Sequence, residues 1–394
     1  MKRVHICLLS EQPTPNIGPL MDRRYRPDNA VFVVTPQQKE RLDFLLPILQ
    51  KYGVTAESLP IEDAFDSDTI LKTLENKIDQ LKKEDKDIWV NVTGGTKPMA
   101  IAAHLAAFNK DVPAFYVDGN KLIWLLLNGE SPDGETTQVM KEKLKINDFL
   151  QAHGVKELSR RTQQPKQELM EIAKHLISTP SAYLKGMRTW NYVASKAEKS
   201  LTYTLSDQDK KNEGLQAVID IFKSSTDLLA TQEKFTFPDE TFRFFCAGGW
   251  LEDYITKTIN SIAEETGIQD HATSLKVEYL SERKINRNYM NDSDNDNEID
   301  VAILHKNVLH IIECKAKRLD GNSGDIQDDL YKLATLRKYL GGIRTKAMLI
   351  SYQPLPEADK TRAMIKRRAD ILDIEFVAGD DLRGIEKKIK KWLG

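Results

Sequence analysis

Cysteine is nearly absent: Cys7, Cys246 and Cys314 are the only three in 394 residues, and all sit in apolar surroundings. None has the paired spacing of a zinc site or a disulfide framework, so a stapled scaffold is excluded and reduced core thiols are expected. Positive charge is not in excess either, because 57 Lys and Arg stand against 59 Asp and Glu. A uniformly basic nucleic-acid coat is thereby excluded, and any contact with DNA or RNA must come from local patches. No apolar run reaches membrane-spanning length, and the N-terminus lacks the charged, apolar and cleavage-site order of a signal peptide. A cytoplasmic protein without a membrane partner is the expectation. Length is not lacking: 394 residues exceed a single core of usual size, so at least two domains are expected.

The densest chemistry lies in the C-terminal third. Residues 297–304, Asn-Glu-Ile-Asp-Val-Ala-Ile-Leu, read as a strand, and Val308-Leu309-His310-Ile311-Ile312-Glu313-Cys314-Lys315 read as another. If Lys306 and Asn307 form a two-residue hairpin loop, His305 pairs with Val308 and the register brings Asp300 opposite Glu313. Side-chain alternation puts Lys315 on the same face and turns Cys314 away. Charges on so apolar a strand need compensation, and a divalent metal would supply it. Mn2+ or Mg2+, with a preference for hard oxygen ligands and retained waters, suits three carboxylates facing a phosphate. Upstream, Gly248-Gly249-Trp250-Leu251-Glu252-Asp253-Tyr254 opens an amphipathic segment whose first turn would project Glu252 toward the sheet, with Asp253 as the less favoured alternative. Glu252, Asp300 and Glu313 are thus the metal-ligand candidates, and Lys315 would orient or polarise the attacking water. Glu-x-Lys alone is a common salt bridge; the compatible Asp300 and the helix-borne Glu252 raise it to a site.

This set resembles the restriction-endonuclease-like (PD-(D/E)xK) core, in which a helix Glu, a strand Asp and a Glu-x-Lys strand form one metal site. The downstream basic residues Lys332, Arg337, Lys338, Arg344 and Lys346, then Lys360, Arg362, Lys366, Arg367 and Arg368, could track phosphates or form solvated helix faces. Two features are set aside. Asp292 to Asp296 mimics the opening of a calcium loop, but Asn297 and Ile303 occupy its glycine and bidentate-Glu positions. His305 and His310 lack companion spacing and are expected to be structural.

The N-terminal part has a different rhythm. Strand candidates at Val4 to Leu9, Val31 to Val34, Ile88 to Val92, Ala114 to Val117 and Leu122 to Leu127 alternate with helical patterns at Gln37 to Tyr52, Ser67 to Lys83 and Lys97 to Asn109. Such alternation marks an open parallel sheet, which binds ligands at strand C-termini. There the run Asn91-Val92-Thr93-Gly94-Gly95-Thr96-Lys97 leads from strand to helix and offers backbone N–H groups, hydroxyls and a cation to phosphate. It has neither the Walker spacing nor the dinucleotide fingerprint. Thr14 and Thr35 lie at other strand ends.

With both ends considered, the chain is similar to the CARF-domain ancillary nucleases of type III CRISPR immunity. The resemblance implies an α/β protein with a Rossmann-like CARF domain over 1–145, a helical or winged-helix-like connector over 146–235 and a restriction-endonuclease-like domain over 236–394. It implies a homodimer activated by a cyclic oligoadenylate, cyclic tetra-adenylate in most members, which cleaves DNA and/or RNA. Thr14, Thr35, Thr93, Gly94, Gly95, Thr96 and Lys97 are then the ligand candidates. The alternatives are a ligand-responsive DNA-binding regulator, which leaves the acidic set unexplained, and an ungated repair or restriction nuclease. Trp190 and Tyr192 in the connector favour packing over base stacking.

Overall fold

A computed structural model describes residues 1–125, 134–141, 143–163, 165–225, 229–231, 233–280, 297–316, 323–356 and 359–394. The calcium-like run Asp292 to Asp296 and the end of the strand expected to reach Leu127 lie outside them.

The N-terminal sheet has seven strands, in the order Thr55–Pro60, Asn29–Val34, Arg3–Leu8, Asp87–Asn91, Ala114–Asp118, Lys121–Leu125 and Thr137–Val139. The first five are parallel and the last two antiparallel. The expected helices form, at Lys39–Lys51, Ser67–Lys83 and Lys97–Asn109. Ser67–Lys83 illustrates why: the Asp66 carboxylate accepts the Thr69 N–H at its start, and Ile70, Leu74, Ile78 and Leu81 recur at helical spacing to give a buried stripe. The edge strand Thr55–Pro60 was not expected, because its sequence TAESLP is mostly exposed and carries no apolar alternation.

The C-terminal sheet has six strands, in the order Ile374–Ala378, Lys346–Ser351, Val308–Lys315, Asn297–His305, Asp270–Tyr279 and Val155–Arg161. The last of these modifies the expected helical connector. Expected as part of a largely helical segment, the sequence VKELSRR instead pairs antiparallel with Asp270–Tyr279 and extends the C-terminal sheet. The segment after it forms helices Gln167–Ser178, Pro180–Lys196 and Glu213–Ser225 and a small three-stranded sheet. Trp190 is fully buried there, with its ring 4.8 Å from Phe222 and 5.4 Å from Phe235, so it is core and not a base platform.

One face of the C-terminal sheet (Val301, Ile303, Ile312, Met348, Ile350) packs on Gln167–Ser178, Pro180–Lys196 and Trp250–Thr266. The opposite face (Ala302, Leu304, Ile311, Leu349) belongs to a cluster that continues through Phe149 and Leu150 into Ile17, Ile48 and Phe32 of the N-terminal domain. The two sheets therefore share one apolar core, with the helix Ile146–Ala152 wedged between them. Polar contacts lock this wedge: Ile146 N–H donates to Asp270 at 3.0 Å, and buried Asp148 accepts from Lys51 at 2.8 Å and from the Tyr52 hydroxyl at 3.2 Å.

The hairpin forms as expected, with His305 paired to Val308. Lys306 and Asn307 both have positive φ, 49° and 58°, the signature of a tight primed turn that matches strand twist. Its tip also touches the other domain, since Asn307 Nδ2 donates to the Gly119 carbonyl at 2.8 Å. Gly94 is required for another close approach, because a Cβ there would lie 2.0 Å from the Leu8 carbonyl oxygen. Gly94→Ala is expected to cost about 1–3 kcal/mol from overpacking, read as a lower thermal unfolding midpoint of the full chain; an unchanged midpoint would contradict this packing.

Candidate active site and ligand cleft

The sheet register brings Asp300 and Glu313 together. The ladder between the hairpin strands runs to Val301 opposite Ile312, and one step further places Asp300 beside Glu313. There the Asp300 carboxylate replaces a ladder acceptor and takes the Cys314 N–H at 2.6 Å. Lys315 Nζ donates to Glu313 Oε1 at 2.7 Å and stands 3.4 Å from Asp329 Oδ1. A kink at Phe245–Gly249, with Gly248 at φ 126°, directs the helix Trp250–Thr266 so that Glu252 in its first turn faces the sheet. Asp253 is the member turned away: buried and ion-paired to Arg161, whose guanidinium also lies 4.0 Å from Glu252. Ser274 donates to Glu252 Oε2 at 3.3 Å from a strand irregularity where its own φ is 46°.

Electrostatics confirm the proximity. Burial, and then the charge of Asp300, push Glu252 up to about 9 against the pull of Arg161. Burial, and then Glu313, raise Asp300 to about 7 despite the Cys314 N–H. Burial works to lower Lys315, but Glu313, Asp329 and Asp300 outweigh it and hold its pKa above the ordinary lysine value. Lys315 is consequently a fixed cation at neutral pH, suited to orienting water or a phosphate oxygen and not to accepting a proton.

One buried carboxylate, Glu313, and two partly buried ones, Glu252 and Asp300, offer the hard oxygens that Mg2+ or Mn2+ prefers. One oxygen of each is engaged, by Ser274, by Cys314 and by Lys315, while among the described residues the other oxygen of each has no hydrogen bond. Among the described residues no three His, Cys, Asp or Glu side chains stand close enough together to hold a metal ion. The donor types fit the cation in chemistry, and in this arrangement they are not gathered around one. Arg161, Ser274 and Asp329 escaped the sequence reading, since each comes from an element whose pairing only the fold reveals. His305 and His310 are structural: His305 Nε2 lies 3.0 Å from the Thr266 carbonyl, and His310 packs on Trp392 at 4.9 Å. Several of the basic residues are also occupied, Arg337 with Asp373 at 2.9 Å and Lys346 with the Trp392 carbonyl at 3.1 Å.

At the C-terminal ends of the parallel strands lies a cleft of about 620 Å³, within the roughly 300–1,000 Å³ of ligand sites. Thr93 and Gly95 line it, as do Gln12 and Tyr116. The Thr93 hydroxyl is already committed, donating to Asn91 Oδ1 at 2.6 Å and accepting the Val117 N–H at 2.8 Å. Gly94 packs beneath the wall against Leu8. Thr96 caps the helix Lys97–Asn109, accepting the Met99 N–H and donating to the Ala64 carbonyl at 2.6 Å, while Lys97 is exposed at its first turn. Thr14 borders an adjoining cavity of about 20 Å³, and Thr35 is buried at the start of the turn Pro36–Gln38.

Two family models match the chain: the Card1 CARF domain over residues 4–149 and the Card1-like endonuclease domain over residues 239–394. The chain joins a Card1 CARF domain to a Card1-like endonuclease domain. Its C-terminal domain is an endonuclease domain, which removes the reading as a DNA-binding regulator. Among solved structures it resembles protein VC1899 from Vibrio cholerae, with 26% identity, a TM-score of 0.85 and coverage of 99% of this chain and 98% of that one. Can2 from Sulfobacillus thermosulfidooxidans, in complex with cyclic tetra-adenylate, shares the fold at 22% identity and a TM-score of 0.76, covering 100% and 99%. A type III CRISPR defence DNA nuclease activated by cyclic oligoadenylate shares it at 16% identity and a TM-score of 0.57, over 91% of this chain and 47% of that longer one. No curated protein matches in sequence.

A pH dependence follows from the raised carboxyls. Their folded pKa values, about 9 for Glu252 and about 7 for Asp300, exceed the ordinary 4.5 and 3.8, so the native state holds protons that the unfolded chain has released. Stability of the metal-free endonuclease is therefore expected to fall as pH rises from about 4 through about 9, and Glu252→Gln is expected to flatten the decline. Thermal midpoints against pH in chelator check this; a midpoint rising across that range would refute it.

Proposed function

We propose that this protein is a metal-dependent nuclease that cuts DNA and/or RNA when its CARF domain binds a cyclic oligoadenylate, cyclic tetra-adenylate being the first choice. The run of neighbours from Glu252 to Asp300, from Asp300 to Glu313 and from Glu313 to Lys315 carries the nuclease half of this reading. The cleft at the strand ends, together with the cyclic tetra-adenylate held by Can2, supports the ligand half. Thr93, Gly94, Gly95, Thr96 and Lys97 build the sensor's glycine turn in this proposal, with Thr14 and Thr35 as outlying candidates. A homodimer with two such clefts about a two-fold axis would meet a symmetric ring of phosphates.

Glu252, Asp300 and Glu313 would hold Mn2+ or Mg2+, which when bound neutralises charge on the scissile phosphate and lowers the pKa of an attacking water. Lys315 holds that water or a non-bridging phosphate oxygen. Attack at phosphorus breaks one P–O bond and leaves a phosphate monoester and a free hydroxyl. Burial of the carboxylates makes their alignment electrostatically strong, and Arg161 and Ser274 fix the orientation of Glu252. Metal must displace the protons that Glu252 and Asp300 retain near neutrality, so metal affinity rises with pH in this reading.

Cleavage of single-stranded DNA, single-stranded RNA and supercoiled plasmid, with Mn2+ or Mg2+ and with or without cyclic tetra-adenylate, tests the proposal. Ligand-dependent cutting is expected, with Glu313→Ala abolishing it and Lys315→Ala lowering the rate at least about a hundredfold while ligand binding survives. Retained cleavage in both variants would sink the site, and cutting equal in the absence of ligand would favour an ungated nuclease. Lys97→Ala should raise the ligand concentration required for half-activation without changing metal affinity.

A further inference from the structure

The cleft is not a property of the CARF domain alone. Its far wall comes from the endonuclease domain: Tyr279, Lys338, Tyr339 and Arg344 line it opposite Thr93 and Gly95. The approach is close, since a Cβ on Gly342 would lie 2.2 Å from the Gln12 amide nitrogen across the gap. Lys338 is exposed and, among the described residues, forms no ion pair. Arg344 is about half exposed and, for ion pairs among the described residues, reaches only Asp118, at 4.0 Å. The CARF side of the same cleft carries Glu40 and the pair Glu11 and Arg41, 4.0 Å apart. Tyr279 and Tyr339 form an edge-to-face pair with centroids 5.7 Å apart. Two polar atoms among the lining residues are buried without a hydrogen-bond partner among the described residues, the Tyr279 hydroxyl and His153 Nε2. Orphaned polar atoms of this kind cost free energy unless something else satisfies them.

We propose that the endonuclease domain itself forms one wall of the activator site, with Lys338 and Arg344 meeting the phosphates of the bound nucleotide ring and Tyr339 meeting a base. The inference rests on the cyclic-oligoadenylate reading above and extends it, because the catalytic domain then reads the ligand directly. Arg and Lys suit this role as fork and point-charge partners of phosphodiester oxygens, and an aromatic face stacks a purine. A ligand held between the two walls favours whichever interdomain arrangement brings both onto it. The wall is also wired to the chemistry. Lys338 lies near the end of the helix Ser323–Gly341, and the same helix carries Asp329, 3.4 Å from Lys315. Nine residues of helix separate those two positions, about 14 Å. Tyr279 likewise ends the strand whose Ser274 donates to Glu252.

The test is the affinity of full-length protein for cyclic tetra-adenylate by calorimetry, at two salt concentrations, for wild type, Lys338→Ala/Arg344→Ala and Lys338→Arg/Arg344→Lys. Both side chains are exposed enough that the variants should fold, which thermal midpoints confirm. The alanine pair is expected to bind at least about tenfold more weakly and with a shallower salt dependence, and the charge-conserving pair should recover most of the loss. Wild-type binding with an alanine pair within about twofold of it would overturn this inference and leave the gated-nuclease reading standing. No binding by wild type would overturn both.

Discussion

The apolar cluster that runs unbroken from the N-terminal sheet into the nuclease sheet constrains everything else in this molecule. Most two-domain chains join their units through a linker and a polar interface that slides. Here the helix Ile146–Ala152 inserts Phe149 and Leu150 between the sheets, and Asp270 and Asp148 tie it to both sides. Interiors of this density do not deform continuously; they shift between discrete packings. Under the gated reading a signal on the CARF side would travel as a displacement of whole elements, and the elements are identifiable. The hairpin tip at Asn307 touches Gly119, the strand Val155–Arg161 starts beside the cleft and ends at Asp253, and the helix Ser323–Gly341 spans from the cleft to Lys315.

Much of this was legible in the sequence, and what was legible has a common cause. The hairpin register followed from one two-residue turn and side-chain alternation, which is enough to place Asp300 against Glu313. The parallel N-terminal strands followed from apolar runs alternating with amphipathic helices. Both are local signals, written in consecutive residues. The strand Val155–Arg161 was not legible because its pairing partner lies more than a hundred residues away and its own side chains are charged. Arg161, Ser274 and Asp329 were hidden for the same reason: nothing near them in sequence marks them as neighbours of a carboxylate. The CARF ligand candidates show the complementary lesson. A glycine turn between strand and helix advertises phosphate binding, yet the Thr93 hydroxyl is held by the Asn91 side chain and the Val117 N–H, and the Thr96 hydroxyl by the Met99 N–H and the Ala64 carbonyl.

The electrostatic state of the carboxylate cluster governs how readily it could take up a cation. Glu252 and Asp300 hold their protons because burial and mutual repulsion disfavour three adjacent anions, and Lys315 is drawn onto Glu313 by the same imbalance. A cation bound as proposed would have to win Glu313 from Lys315 and release protons from the other two. The balance between those states depends on how near Asp329 stands to Lys315 and how near Arg161 stands to Glu252, since each neutralises charge that would otherwise fall to the metal. Displacing the helix that carries Asp329 away from Lys315 would leave Glu313 as that lysine's main carboxylate partner, whereas displacing the strand that carries Arg161 would leave Glu252 more in need of a cation. Both elements reach the cleft. The arrangement of charges that makes the site inhospitable to three bare carboxylates is therefore the same arrangement through which a shift in the shared core can alter its readiness for metal.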